Sequence, residues 1–297
     1  MDEALSEFRG SDAACWDEWA AMMAEAEPAR PGEATAEPAR AGEAGPGLVS
    51  SKTSDTHREN SGSPAASADR KTCTLERNPA RLKRMQRTVR ESSRLLQEEI
   101  QHGGFRYWAV FLTLTYAPDQ DWEPGHVSAF MKTLREHLRR RKIRARYVWV
   151  MELMKNGKPH YHVVVWLPRG HKLPKPDDAG WWPWGSTNIQ AARSPVGYLS
   201  KYASKGAPEL DDPYKPQIPP GARLSGNGGL SKAARQVRSW RLCPAWVREL
   251  FTVEDRPVRA PGGGWLSRAT GHWEPPRWRI KECAVDWSWI TFEEIGA

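Results

Sequence analysis

Apolar and polar positions along the chain fall into a few contrasting patterns. Tyr107 to Tyr116 is an aromatic and β-branched run ended by Ala117-Pro118-Asp119, which predicts a strand. Tyr147 to Leu153 and Lys158 to Trp166 are two more such runs. The linker between them, Lys155-Asn156-Gly157-Lys158, carries Asn-Gly, the strongest short hairpin signal. Val127, Phe130, Met131, Leu134 and Leu138 recur at helical spacing and predict a helix over about 125–142. Leu82, Met85, Val89, Leu96 and Ile100 do the same for 77–102, and the opposite face there is crowded with arginine. That arginine face suits DNA phosphates and a plain charged surface helix equally well. A third helix reads over 197–206, with Ser194-Pro195 at its start and Gly206 as its stop. Residues 168–194, with Trp181-Trp182-Pro183-Trp184, read as loop, and 207–235 as a Pro- and Gly-rich connection. Gly226 to Lys232 lacks the G-x-x-x-x-G-K-[ST] spacing, so it is not read as a phosphate loop.

Composition separates the first quarter of the chain from the rest. Residues 1–75 are rich in Ala, Gly, Pro and Ser, and Glu27–Ala34 nearly repeats as Glu37–Ala44. Such a segment buries too little apolar surface to offset its ordering entropy, so it reads as a disordered acidic tail. A short acidic helix near Cys15 to Trp19 is the one element it suggests. The 297 residues carry a net charge of +8, with a pI near 9.4, which favours an acidic partner such as nucleic acid. Four scattered cysteines, without C-x-x-C spacing, indicate neither a disulfide framework nor a structural zinc site. No apolar run approaches a membrane span, so a soluble intracellular protein with no membrane partner is expected. Sixteen tryptophans are many for this length. Those after residue 240 lie among arginines and prolines; they suit stacking on single-stranded bases or, slightly better, filling a small core.

The candidate chemistry sits on the third strand. His160 and His162 are two apart, so both point to one face, about 6.6 Å apart along the strand. Folding the hairpin can bring Glu152 beside them. Two imidazoles and a carboxylate form a mixed donor set that suits Mg²⁺, Mn²⁺ or Zn²⁺. Taken alone, two histidines on a strand are more often solvent-facing or packed in a core. On the third helix Tyr198 and Tyr202 are four apart and share a face, while Lys201 and Lys205 share the adjoining one. Those tyrosines can equally be packing residues.

Three segments in order, Phe111-Leu112-Thr113-Leu114-Thr115, His160-Tyr161-His162 with Glu152, and Tyr198-x-x-Lys201-Tyr202-x-x-Lys205-Gly206, resemble the HUH endonuclease superfamily. The likeness is to two-tyrosine rolling-circle replication initiators (Rep) of phages and plasmids, and it covers about residues 105–206. It implies an α+β fold: an antiparallel sheet with the histidine strand central, flanking helices and the tyrosine helix lying across the metal face. It divides the chain into a tail (1–75), a basic helix (76–104), a nicking-joining domain (105–210) and a Trp/Arg-rich accessory region (211–297). The implied activity is metal-dependent nicking and rejoining of single-stranded DNA through a 5′-phosphotyrosine, leaving a free 3′-OH to prime synthesis. A divalent metal, Mg²⁺ or Mn²⁺, would sit on His160, His162 and Glu152. Tyr198 and Tyr202 would be the nucleophiles, and Lys201 or Lys205, with the metal, would favour the phenolate or orient its attack. Implied partners are single-stranded and origin DNA with a host helicase and polymerase, in a bacterial cytoplasm. A two-tyrosine transposase uses the same chemistry. A relaxase usually has a third histidine where this chain has Val164. A non-catalytic nucleic-acid-binding protein would not need the His-His and Tyr-Lys set.

Overall fold

The computed structural model describes residues 71–104, 106–154, 156–205 and 218–295. The tail at 1–70, its acidic helix and the Gly206 stop lie outside these. The chain starts with a short strand, β1 (Thr72–Glu76), and runs directly into a long helix, α1 (Arg77–His102). The central sheet follows: β2 (Tyr107–Tyr116), β3 (Arg146–Leu153), β4 (Pro159–Pro168), β5 (Gly185–Ala191) and β6 (Ser225–Gly228). Its order is β5-β2-β4-β3-β6, antiparallel throughout. β4, the histidine strand, is therefore central. Helix α2 (His126–Arg140) connects β2 to β3, and α3 (Pro195–Lys205) follows β5. The mixed architecture of antiparallel sheets flanked by helices is the one expected from the sequence.

Register assigns each side chain to a face. Phe111, Thr113 and Thr115 of β2 share a face with His160, His162 and Val164 of β4 and with Val150 and Glu152 of β3. Helices α1 and α3 cover it: Trp166 donates to Gln97 of α1 at 3.0 Å, and both α3 tyrosines stack on Phe111. The opposite face carries Leu114, Tyr116, Trp149 and Tyr161. There Trp182 meets Tyr116 and Tyr161 edge-on and also meets Phe130 of α2. Helices on both faces explain why β2, β3 and β4 read as nearly unbroken apolar runs: neither side of these strands is left to water.

Several features depart from the sequence reading. β5 lies within the segment read as loop, and β6 within the Pro- and Gly-rich connection. The first strand starts at Thr72, so the last residues assigned to the tail are paired strand. Helix α1 is not a free basic surface. Ser92 and Ser93 are fully buried, Arg81 donates to the Ala222 carbonyl and Arg87 to that of Arg241. Only Lys83, Arg90 and Arg94 among its lysines and arginines are well exposed. Its far side packs on α4 (Lys232–Arg241), and Glu99 accepts from the backbone of Ser231, the residue capping that helix.

The C-terminal part adds α5 (Ala245–Leu250), the small sheet β7 (Pro257–Arg259), β8 (Trp265–Ser267) and β9 (Trp273–Glu274), and the strands β10 (Trp278–Cys283) and β11 (Trp289–Glu294). Strands β1, β11 and β10 form one sheet. Its tryptophans divide between the two roles foreseen. Trp246 and Trp265 are buried with Cys243, Val247 and Phe251, whereas Trp273 and Trp287 are about half exposed.

Candidate active site

The hairpin that builds the site is wider than a two-residue turn. Met154 donates to the Lys158 carbonyl at 3.0 Å and Gly157 donates to that of Met154 at 2.9 Å. Gly157 has φ +79, a conformation cheap only for glycine. The Lys158 ammonium donates to the carbonyls of Ala117, Pro118 and Gln120 at 3.3, 2.6 and 2.7 Å. This ties the hairpin to the loop leaving β2, two residues before the first histidine.

Glu152 stands directly opposite His160 across the β3–β4 ladder. Its carboxylate reaches diagonally to His162, where Nε2 donates to Oε2 at 2.7 Å. The two imidazole centroids are 4.8 Å apart. His160 Nδ1 lies 3.5 Å from the Thr115 hydroxyl. Burial, then the neighbouring His162, push the His160 pKa down to about 4, against a smaller upward pull from Glu152. His160 is therefore neutral near pH 7, the state in which an imidazole can coordinate a metal.

Helix α3 brings the tyrosines over this face. The Tyr202 ring stacks on His162 with centroids 3.6 Å apart and planes at 23°. Tyr198 and Tyr202 both stack on Phe111, at 5.1 and 5.6 Å. Burial raises the Tyr202 pKa, and the Glu152 charge and Tyr198 raise it further. This is opposite to the lowering expected from the lysines. Lys201 Nζ lies 5.9 Å over the face of the Tyr202 ring, a cation–π placement that leaves the hydroxyl to the influence of Glu152. The side chain of Lys205 lies outside the described residues.

The structure thus brings Glu152, His160, His162, Tyr198, Tyr202 and Lys201 to one face. Phe111 and Thr115, which the sequence reading held only as parts of an apolar strand, belong to the same cluster. Among the described residues no three His, Cys, Asp or Glu side chains are disposed around a common point that would hold an ion. The donor types still fit a divalent cation: a neutral imidazole, a second imidazole and a carboxylate on one face. Seating an ion requires Glu152 to release His162, so the site as it stands is closed by its own hydrogen bond.

Among the described residues no helix is long and apolar enough to cross a membrane. No curated protein and no solved structure matches the chain. Residues 109–207 match the model of a family described as replication-associated protein, of the ORF2 type. The match runs from β2 through α3 and takes in both histidines, Glu152 and both tyrosines. Over this third of its length, the chain is similar to replication-associated proteins.

Proposed function

We propose that this protein nicks and rejoins single-stranded DNA to initiate rolling-circle replication. The observation that carries the reading is the stacking of Tyr202 on His162, with Tyr198 beside it on the same helical face. A metal site needs no tyrosine pair above it, and a packing tyrosine needs no buried His–Glu pair below it. Together they place a nucleophile at a site suited to polarising a phosphate. The family match supplies independent support for a replication role.

The reaction is a transesterification. The Tyr202 oxygen bonds to phosphorus while the P–O3′ bond breaks, and the hydroxyl proton ends on the departing 3′ oxygen. No bond energy is lost to water, so the 5′-phosphotyrosine can be resealed by a 3′-OH. A divalent ion, Mg²⁺ or Mn²⁺, would be held by His160, His162 and Glu152 and would act as a Lewis acid on the scissile phosphate. Tyr202, nearest the histidines, would open the first strand. Tyr198 would then make the second transfer that releases a circle. Phe111 fixes the height of both rings above the sheet. Lys201 supplies positive charge beside the incoming phosphate. Strand opening and synthesis would fall to a host helicase and polymerase in a bacterial cytoplasm.

The test is incubation with labelled single-stranded origin DNA and Mn²⁺, followed by denaturing electrophoresis and mass spectrometry of the peptide left on the DNA. A denaturation-resistant adduct on Tyr202 is expected. Tyr202→Phe should lose the first adduct, Tyr198→Phe should keep it but fail to release circles, and the double variant should form none. His160→Ala or added EDTA should abolish cleavage while sparing DNA binding. An adduct mapping to Tyr116, Tyr161 or Tyr214, or surviving in the double variant, would overturn the reading.

A further inference from the structure

Helix α4 has two functional faces. Ala234, Val237 and Arg238 turn inward: Ala234 is buried, Val237 packs against the main core, and Arg238 donates to Ser92 of α1 and to Asn227. Lys232, Arg235 and Trp240, spaced by three and five, turn the other way. They line one wall of a groove of about 320 Å³. The facing wall is the end of the β7–β8 hairpin. Pro257 pairs with Ser267 there, which puts Arg256 and Arg268, the next residue on each strand, side by side, and both line the groove.

Four cations converge on this space and no carboxylate lines it. Lys232, Arg235, Arg256 and Arg268 are all exposed, and none is paired with a carboxylate among the described residues. Like charges held beside one another on adjacent strands repel, so the fold itself gains nothing from the Arg256–Arg268 neighbourhood. The nearest acid in sequence, Asp255, accepts from the Thr252 backbone, the Thr252 hydroxyl and the Ser267 hydroxyl; its charge is committed to the turn. Arg256 adopts φ +51, uncommon for a side chain larger than glycine or asparagine. The Trp240 indole spends its N–H on the Phe251 carbonyl at 2.7 Å. What it offers the groove is hydrocarbon and π surface. Positive charge along both walls beside an aromatic surface is the combination that takes the phosphates of a strand and stacks one of its bases.

We propose that this groove is a second binding site, for single-stranded DNA, with its phosphates on Lys232, Arg235, Arg256 and Arg268 and a base against Trp240. No residue of the His–Tyr cluster lines it, so it would hold the strand away from the point of cleavage. The inference rests on the proposed function only in taking DNA as the polynucleotide.

The experiment measures binding of a labelled single-stranded oligonucleotide to the full chain by fluorescence anisotropy, in EDTA, over a range of salt concentrations. Arg256→Gln/Arg268→Gln should weaken binding by roughly tenfold at moderate salt. It should also flatten the slope of log K against log salt by about 1.4, the share of two phosphate contacts on a single strand. Arg256→Lys/Arg268→Lys, which keeps the charges, should restore the slope and so exclude misfolding as the cause. At saturating DNA the Gln pair should still form the tyrosine adduct at the wild-type rate. Unchanged affinity and slope in the Gln pair would overturn the proposal. So would a loss confined to duplex DNA, which would make the groove a duplex-binding surface. Absence of any adduct from the wild type would instead count against the nicking chemistry and leave the binding result standing.

Discussion

Three rings of the candidate site, those of His162, Tyr198 and Tyr202, rest on Phe111. The histidine pair and Glu152 were legible in the sequence because each depends on a local rule: period two along a strand and an Asn-Gly turn. Phe111 was legible only as one apolar residue in a strand. Its stacking partners come from a helix more than eighty residues later, and no local pattern carries that information. The Tyr202 pKa failed for a related reason. Lys201 is next to it in sequence, but burial and Glu152 of another strand dominate in space. Phe111→Leu keeps an apolar side chain of similar size and should cost under about 1.5 kcal/mol of stability. It should lower the rate of adduct formation by about 10–100-fold, since both nucleophiles lose their support. Single-turnover kinetics at saturating DNA check this, and an unchanged rate would show that the tyrosines are held by other contacts.

At the scale of elements, what was legible tracks position in the sheet. β2, β3 and β4 are inner strands and read as long apolar runs. The edges β5 and β6 do not. In β6, Gly226 and Gly228 have no side chains because the rings of β3 occupy that space: a methyl group on Gly228 would come 2.6 Å from the Tyr147 ring. A sequence of Ser-Gly-Asn-Gly gives no strand signal, yet it suits this edge. β5 is polar and held from outside by Asp177, whose carboxylate accepts from the Thr187 backbone at 3.1 Å, the Thr187 hydroxyl at 2.6 Å and Lys175 at 2.8 Å. Partial burial alone would raise the Asp177 pKa, but hydrogen bonds from Lys175 and Thr187 outweigh it and hold the carboxyl well below the usual range. A depressed folded-state pKa stabilises the fold fully above the unfolded value of about 3.9 and loses that contribution as pH falls through the folded value. Asp177→Asn should therefore cost about 1–2 kcal/mol near neutral pH. The gap between wild type and variant should close below pH ~4, as followed by urea unfolding. A gap that persists in acid would assign the effect to something other than the charge.

At the scale of the whole molecule, the first and last described strands share one sheet. The Thr74 and Thr291 hydroxyls meet at 2.8 Å across a sequence separation of 217. Leu75, fully buried, packs with Ala80, Ile290 and Phe292. Local patterns cannot announce such a pairing, which is why β1 was assigned to the tail. Deleting residues 1–70 should leave adduct formation and thermal stability as in the full chain, because none of the candidate chemistry lies there. Deleting 1–76 removes Leu75 and β1, and should lower the melting temperature through a loss on the order of 2–5 kcal/mol. Differential scanning calorimetry of the two truncations separates these outcomes, and equal melting points would mean that β1 contributes nothing. The same pairing sets an order of events during synthesis. β1 leaves the ribosome more than two hundred residues ahead of β11, a wait of about 10–40 s at ordinary elongation rates. The strands bearing the histidines and the tyrosine helix are complete well before then. A nascent or prematurely ended chain would therefore carry a finished catalytic face beside an unpaired strand, and the closing of this sheet marks the moment when translation is over.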